Sequence, residues 1–141
     1  MFAPKPDAES DKAKYTDKYV LIVDDDKNVR NVIRTMLESI GVNVDEAQDG
    51  VDGLKMLHRA EKNNTPYDLI LLDLVMPRMS GTECLSNMRE YEVWRDLPVV
   101  MMSAFSSLKK IDADEHEELN ILEFFDKPIR LEKLTATLDS L

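Results

Sequence analysis

The feature that most constrains the fold of this chain is a regular alternation of short apolar runs with longer segments of helical periodicity. Three of the runs are almost free of polar residues, which is typical of strands that are covered on both faces of a parallel sheet. Two further runs are less apolar. In chain order, the five runs cover residues 19–23, 42–46, 69–72, 99–102 and 121–125.

Each run is followed by a segment in which apolar residues recur every three or four positions, the spacing of one helix face. Five strand–helix units in strict alternation predict an α/β fold, in which a doubly wound, five-stranded parallel sheet carries helices on both faces. Gly41 is a stop signal after the first helix. The predicted helices cover residues 28–39, 49–62, 81–91, 109–119 and 130–141.

The amino-terminal segment differs from the rest of the chain in composition. Residues 1–17 are mainly small, charged or proline residues, so we interpret them as a mobile tail or linker and assign residues 18–141 to one domain. The segment lacks the apolar centre of a signal peptide. No apolar run approaches the roughly 20 residues of a membrane helix, so we expect no membrane insertion.

Charge and cysteine content narrow the class of partner and the compartment. The formal net charge is −10, which disfavours nonspecific binding to nucleic acid or to an anionic membrane surface. The same charge is compatible with binding a cation or a partner with a basic face. Cys84 is the only cysteine, so no intrachain disulfide can form, and we expect a cytoplasmic protein.

Polar side chains follow four of the predicted strands at the point where each strand ends. In a parallel sheet, ligands bind at the carboxyl ends of the strands, near the position where the strand order reverses. We therefore expect these side chains to surround one pocket. They are Asp24, Asp25 and Asp26 after the first strand, Asp73 at the end of the third, Ser103 at the end of the fourth, and Lys127 after the fifth.

Several carboxylates in one pocket repel one another unless a cation lies among them. Ligands that are all oxygen atoms favour a hard divalent ion, and Mg²⁺ is the usual one in the cytosol. A carboxylate beside Mg²⁺ can attack an activated phosphoryl group and form an aspartyl phosphate. Asp26 has an alternative, structural interpretation, because an aspartate directly before a helix often caps it.

Four motifs at these strand ends carry a resemblance to a known family. They are Val23-Asp24-Asp25-Asp26, then Leu72-Asp73 followed by Met76-Pro77 and Gly81, then Met102-Ser103-Ala104, then Asp126-Lys127-Pro128. With these motifs in this order, the chain resembles the receiver domains of two-component response regulators over residues 18–141. The resemblance implies a flavodoxin-like (βα)5 fold with the strand order 2-1-3-4-5.

The resemblance also implies which residues hold the metal and the phosphoryl group. Asp73 would be both the phosphoacceptor and a metal ligand. Asp25 would bind Mg²⁺ directly, and Asp24 would act largely through water. The backbone carbonyl of Val75 would be a further ligand, and Lys127, ahead of a cis proline at Pro128, would bind the phosphoryl group.

By the same resemblance, Ser103 would be a switch hydroxyl that the phosphoryl group draws toward itself. Phe124 would be the switch aromatic, which rotates into the space left behind. The chain departs from the family at Phe124, where tyrosine is frequent, and at Asn120, which stands where glycine is usual and could adopt the same left-handed turn.

Two apolar residues near the predicted site indicate a long phosphoryl lifetime. Val75 and Phe105 lie two residues beyond Asp73 and Ser103, and neither can hold an attacking water by hydrogen bonding. We therefore expect slow self-dephosphorylation, and a shorter phosphoryl lifetime in the Phe105→Glu variant.

These inferences favour a signalling switch over a metabolic enzyme, with chemistry limited to the chain's own phosphotransfer and slow dephosphorylation. The implied partners are a sensor histidine kinase or a histidine phosphotransfer protein as phosphodonor, and a downstream protein that reads the signal. A homodimer through the fourth helix, the fifth strand and the fifth helix is also compatible with the resemblance.

Two other functions stay open at this level. A Mg²⁺-dependent phosphatase or hydrolase would also use an aspartate nucleophile, although such enzymes commonly need a second aspartate at the position of Val75. A degenerate receiver would serve only as an unphosphorylated scaffold. A flavin or nucleotide carrier is disfavoured, because acids and not a glycine-rich loop follow the first strand.

Overall fold

The computed structural model of the protein describes residues 14–104 and 117–141. Within them, strands and helices alternate as the periodicity predicts. A short 3₁₀ turn, Glu92–Trp94, follows the third helix. The strands are β1 Tyr19–Val23, β2 Asn43–Ala47, β3 Leu69–Asp73, β4 Val99–Ser103 and β5 Glu123–Asp126. The helices are α1 Lys27–Ser39, α2 Gly50–Lys62, α3 Gly81–Arg89, α4 at residues 117–119 and α5 Leu131–Ser140.

The five strands form one parallel sheet in the order β2-β1-β3-β4-β5, which confirms the predicted topology. The order reverses beside β1, so the carboxyl ends of β1 and β3 lie next to each other. Asp73 pairs with Met102 across β3 and β4, and Ser103 pairs with Asp126 across β4 and β5. The strands that carry the predicted site residues therefore end at one edge of the sheet.

Two apolar clusters cover the two faces of the sheet. Leu21 and Val23 of β1 face the cluster that α2 and α3 complete, while Val20 and Ile22 face the one that α1 and α5 complete. Every residue of β3 is buried, as the unbroken apolar run predicts for a strand covered on both sides. Because β3 is central and rigidly packed, it gives Asp73 at its end a fixed position.

The starts and stops of several elements follow from single residues. Asp26 caps α1, since its side chain accepts hydrogen bonds from the backbone N–H groups of Asn28 and Val29, and this confirms the structural interpretation of Asp26. Gly41 ends the helical segment with φ of 91°. Asn120 adopts φ of 54°, as predicted, and β5 begins at Glu123, two residues later than the apolar run indicated.

The described chain begins before the predicted domain boundary. Residues 1–13 of the predicted tail lie outside the described residues. Tyr15 is buried, at 5% exposure, in the cluster that α1 and α5 complete, and its hydroxyl donates a 2.7 Å hydrogen bond to Asp139. The domain boundary at residue 18 stays a prediction, although Tyr15, which precedes it, packs against the domain.

Part of the predicted fourth unit also lies outside the described residues. This applies to Phe105 and to most of the predicted helix at residues 109–119, of which residues 117–119 are helical. Across the described ranges, no helix has both the length and the apolar character needed to cross a membrane.

Candidate functional site

The β1 end of the pocket is built around Asp24, whose side chain is fully buried. The backbone N–H of Asp26 donates a 2.9 Å hydrogen bond to Asp24 Oδ1. Arg30 of α1 donates to the Asp24 carbonyl at 2.6 Å and to Glu46 Oε1 at 3.0 Å. These contacts fix both the backbone and the carboxylate of Asp24, while the neighbouring Asp25 is exposed.

Asp73 lies at the end of β3 and is 4% exposed. The Lys127 ammonium lies 3.1 Å from Asp73 Oδ1 and 2.8 Å from Asp24 Oδ2, so one cation bridges two buried carboxylates. The peptide bond between Lys127 and Pro128 is cis, as the resemblance implies. The structure thus brings Asp24, Asp73 and Lys127 together as predicted from the strand ends.

Burial and the charge of Asp24 raise the pKa of the Asp73 carboxyl from 3.8 to about 6. Lys127 and a backbone hydrogen bond from Val75 act in the opposite direction and lower that pKa. For Lys127, burial lowers the pKa of the ammonium, but hydrogen bonds and charges from Asp24 and Asp73 outweigh it and leave the pKa raised. Negative charge is therefore only partly compensated in the pocket, which favours binding a further cation.

Asp24, Asp25 and Asp73 each place a carboxylate oxygen within 4.8 Å of the others. Three convergent oxygens, whose charge Lys127 offsets as the one lysine placed there by the described residues, form a donor set that fits a hard divalent cation such as Mg²⁺. Two of the three aspartates are buried and one is exposed, so the cluster is enclosed by the protein on one side and open to water on the other.

The loop after Asp73 passes very close to the start of α3. The Gly81 N–H donates to the Leu74 carbonyl at 2.9 Å. A Cβ atom at Gly81 would lie only 2.3 Å from the Asp73 carbonyl oxygen, so no larger residue fits there without moving the backbone. Val75, in the same loop, is 52% exposed and has its backbone beside the Asp73 carboxylate.

Ser103 lies at the end of β4, and its side chain is buried at 1% exposure. Its hydroxyl has no hydrogen-bond partner among the residues that the structure describes. A buried hydroxyl without a partner costs stability, on the order of 1–3 kcal/mol, so an incoming acceptor at this position would be favourable. The Lys127 N–H donates to the Ser103 carbonyl at 2.9 Å and links Ser103 to the lysine.

Phe124 lies on β5, partly buried, and packs against the cluster that α2 and α3 complete. Phe105, which together with Val75 indicated a long phosphoryl lifetime, lies outside the described residues. Sequence reasoning missed two arginines at this edge: Arg30, which holds Asp24, and Arg78, whose side chain contacts Asp49. Neither arginine stands out in the sequence, because no motif or periodicity points to its partner; Asp24 lies six positions before Arg30 and Asp49 lies 29 positions before Arg78.

Comparison with known proteins supplies the family context for this pocket. The family described as "Response regulator receiver domain" matches residues 20–139. Among curated proteins, the chain is 31% identical to the chemotaxis protein CheY-3 of Vibrio cholerae, with 86% of this chain and 89% of that protein covered.

Larger proteins contain a similar segment. The chain is 34% identical to part of the response regulator MprA of a Mycobacterium species and spans 49% of its length. It is also 34% identical to part of the sensor histidine kinase CheAY of Helicobacter pylori and spans 16% of it. The chain thus covers half or less of these two relatives.

Solved structures show the same architecture. The chemotaxis protein CheY4 of V. cholerae superposes with a TM-score of 0.73 at 28% identity, over 87% of this chain and 97% of that one. A response regulator receiver protein from Pseudomonas putida superposes with a TM-score of 0.76 at 24% identity, over 88% of this chain and 97% of that one, which supports the fold alone.

Proposed function

The chain belongs to the response regulator receiver domain family, and on this premise we propose that Asp73 accepts a phosphoryl group and that the domain acts as a phosphorylation-dependent switch. The observation that carries the proposal is the position of Asp73, a buried carboxylate at a strand end. The Lys127 ammonium lies 3.1 Å from it, and two further aspartates are close enough to hold one metal ion together with it.

The proposed reaction is a transfer of one phosphoryl group to a carboxylate oxygen. An Asp73 oxygen forms a bond to phosphorus while the bond between phosphorus and the donor breaks, and the bonding electron pair leaves with the donor group. With a phosphohistidine donor, the leaving group is the imidazole ring. Mg²⁺, held by Asp24, Asp25, Asp73 and the Val75 carbonyl, would offset the charge on the phosphoryl oxygens.

Lys127 has a role both before and after this transfer. Before it, the ammonium offsets the charges of Asp24 and Asp73. Afterwards, Asp73 carries a phosphoryl group, and the same ammonium can bind one of its oxygens. Because Lys127 reaches the pocket from the loop after β5, its movement connects the chemistry with the strand that carries Phe124.

The proposed switch begins at Ser103. A phosphoryl oxygen on Asp73 supplies an acceptor for the buried hydroxyl, which has no partner in the described part of the chain, so phosphorylation draws the end of β4 toward the pocket. Phe124 packs partly buried on the neighbouring strand and can follow into the space that opens. The outcome is a changed surface at β5 and α5, where a partner would read the state of Asp73.

The proposed partners follow from this chemistry. The phosphodonor is a sensor histidine kinase or a histidine phosphotransfer protein, which places the reaction in the cytoplasm, and the output is binding or release of a downstream protein. A second copy of the chain is a further candidate for the surface at β5 and α5. The domain performs no turnover on outside substrates in this proposal.

The test is to incubate the full chain with acetyl phosphate and Mg²⁺ and to record its intact mass. We expect one phosphoryl adduct, which disappears in Asp73→Asn and without Mg²⁺. Asp126→Asn is the matched control, because this exposed aspartate ends β5, two strands away from β3, and should leave the adduct unchanged. An adduct that persists in Asp73→Asn would refute the assignment of the phosphoacceptor.

A further inference from the structure

The loop between β3 and α3 is tied to the start of α2 by an ion pair that the proposed reaction has not used. Arg78 Nη2 contacts Asp49 Oδ2, and the Asp49 side chain is almost fully buried at 3% exposure. The other Asp49 oxygen, Oδ1, accepts a 2.9 Å hydrogen bond from the Asp52 N–H and caps α2. Each carboxylate oxygen of Asp49 therefore has its own partner, one in the helix and one in the loop.

Arg78 reaches Asp49 from an unusual backbone conformation. Its φ is 69°, in the left-handed region that costs an L-residue roughly 1 kcal/mol or more. Arg78 is also the only charged residue between Leu74 and Ser80. A charged residue held in a disfavoured conformation, with its guanidinium on a buried carboxylate, indicates that the ion pair fixes the shape of this loop.

The same loop is fixed at two other points. Its ends are joined by the hydrogen bond from the Gly81 N–H to the Leu74 carbonyl. Met79, beside Arg78, packs so closely over Gly50 that a Cβ atom there would meet its sulfur at 2.8 Å. The loop is thus closed at its base and attached at its outer end to α2, through Met79 on Gly50 and Arg78 on Asp49.

Val75 lies between these attachment points, and its side chain is 52% exposed, so its position depends largely on them. Its backbone nevertheless lies beside the Asp73 carboxylate and lowers the pKa of that group. The orientation of the Val75 peptide therefore depends on the shape of the whole loop. That orientation also decides whether the Val75 carbonyl can face a cation bound to Asp25 and Asp73.

We propose that Arg78 is a positioning residue, which by pairing with Asp49 holds the Val75 backbone in place and thereby sets the affinity of the Asp73 pocket for Mg²⁺. The inference deepens the proposed function and rests on it. Replacing a residue that orients metal ligands without binding the metal itself typically weakens metal affinity by about 10- to 100-fold. We expect an effect near the lower value, because the three carboxylates remain in place.

The test is a double-mutant cycle on the full chain, with the Mg²⁺ dissociation constant measured by NMR titration of backbone amides. Arg78→Asn suits the left-handed backbone but cannot form the ion pair, and Asp49→Asn keeps a helix cap without the charge. Arg78→Lys is the conservative variant. Arg95→Asn, at an exposed arginine after the 3₁₀ turn, is the matched control.

We expect each single variant to weaken Mg²⁺ binding roughly tenfold and the double variant to be no weaker than either one. Arg78→Lys should recover part of the affinity, and Arg95→Asn should bind like the unchanged chain. Hydrogen exchange at the Val75 amide should be faster in Arg78→Asn. A role confined to stability would lower the urea midpoint and leave the dissociation constant unchanged.

Two outcomes separate this inference from the proposed function. If Arg78→Asn and Asp49→Asn bind Mg²⁺ as tightly as the unchanged chain, or if their effects simply add, the positioning role is refuted. If the unchanged chain binds Mg²⁺ with the expected Arg78 dependence but forms no adduct on Asp73, the positioning role stands and the phosphoacceptor assignment fails.

Discussion

The ammonium of Lys127 lies 2.8 Å from Oδ2 of Asp24, a carboxylate that is fully buried. Asp24 is also one of the three residues whose oxygens converge on the candidate cation site. A metal ion bound at this candidate site would therefore compete with Lys127 for the negative charge of the Asp24 carboxylate. Their competition gives the first prediction.

Lys127→Met should bind Mg²⁺ more tightly and accept the phosphoryl group more slowly. Removal of the ammonium leaves two buried carboxylates without a counter-charge, so without metal the fold should lose on the order of 3 kcal/mol. Mg²⁺ should restore much of that loss. Calorimetric Mg²⁺ titration and urea unfolding measure both effects, with Lys133→Met as the exposed control on α5. Weaker Mg²⁺ binding in Lys127→Met would contradict the competition.

Asp73→Asn should be more stable than the unchanged chain at pH 7.5 in the presence of a chelator. Burial and Asp24 raise the pKa of Asp73 to about 6, so the ionised carboxylate destabilises the folded state above that pH. A shift of this size corresponds to about 1–3 kcal/mol.

This advantage should shrink as the pH falls from about 7 toward 4, because the folded chain then takes up a proton on Asp73 and the unfolded chain does not. Urea unfolding curves at several pH values test the effect. If the stability of Asp73→Asn relative to the unchanged chain instead increased toward low pH, the folded state would stabilise the ionised Asp73 carboxylate and the prediction would be wrong. Added Mg²⁺ should reverse the order at pH 7.5, since it stabilises only the chain that retains Asp73.

Ser103→Ala should leave the stability unchanged or raise it by up to about 1 kcal/mol, since the buried hydroxyl has no partner to lose within residues 14–104 and 117–141. The same variant should lose the response at Phe124. NMR shifts on addition of Mg²⁺ and beryllofluoride, which stands in for the phosphoryl group, measure that response. Ser103→Thr keeps a hydroxyl and should keep the response. If Ser103→Ala responds like the unchanged chain, the coupling runs through another residue.

Gly81→Ala should destabilise the fold by about 3 kcal/mol or more, because its Cβ would meet the Asp73 carbonyl oxygen and the Leu74 backbone, neither of which can move freely. Gly50→Ala is the matched control. There the nearest atom is the end of the flexible Met79 side chain, so we expect a change within about 1 kcal/mol. Thermal unfolding measures the stability of both variants. A similar loss of stability in the two would show that the backbone of the loop after Asp73 can move to accommodate a Cβ atom at Gly81.

The strand order and the position of the pocket could be predicted because both follow from local signals. Unbroken apolar runs mark strands that are buried on both faces, and Asp24, Asp73, Ser103 and Lys127 directly follow such runs. Parallel pairing then brings the ends of β1, β3, β4 and β5 together without further information.

Contacts between segments that are distant in sequence could not be predicted in this way. The pairs Arg78 with Asp49 and Tyr15 with Asp139 join residues 29 and 124 positions apart, and no periodicity or motif marks either of them. The tail composition pointed to solvent exposure, whereas Tyr15 is buried. Arginine and tyrosine have side chains long enough to reach such partners, so their sequence context carries little information on their contacts.

The hydrogen bond between Tyr15 and Asp139 has a consequence for how the domain can be joined to other chains. It sets the first described turn against the last helix, and Lys14 also lies 3.0 Å from Asp139. A reporter domain fused before residue 14 and one fused after α5 would therefore be attached at neighbouring points on the surface. A short peptide could join these two points, with new termini opened at the exposed loop around Asn64. The pocket would then be assembled from a circularly permuted chain, so the order of synthesis can change while the spatial arrangement is kept.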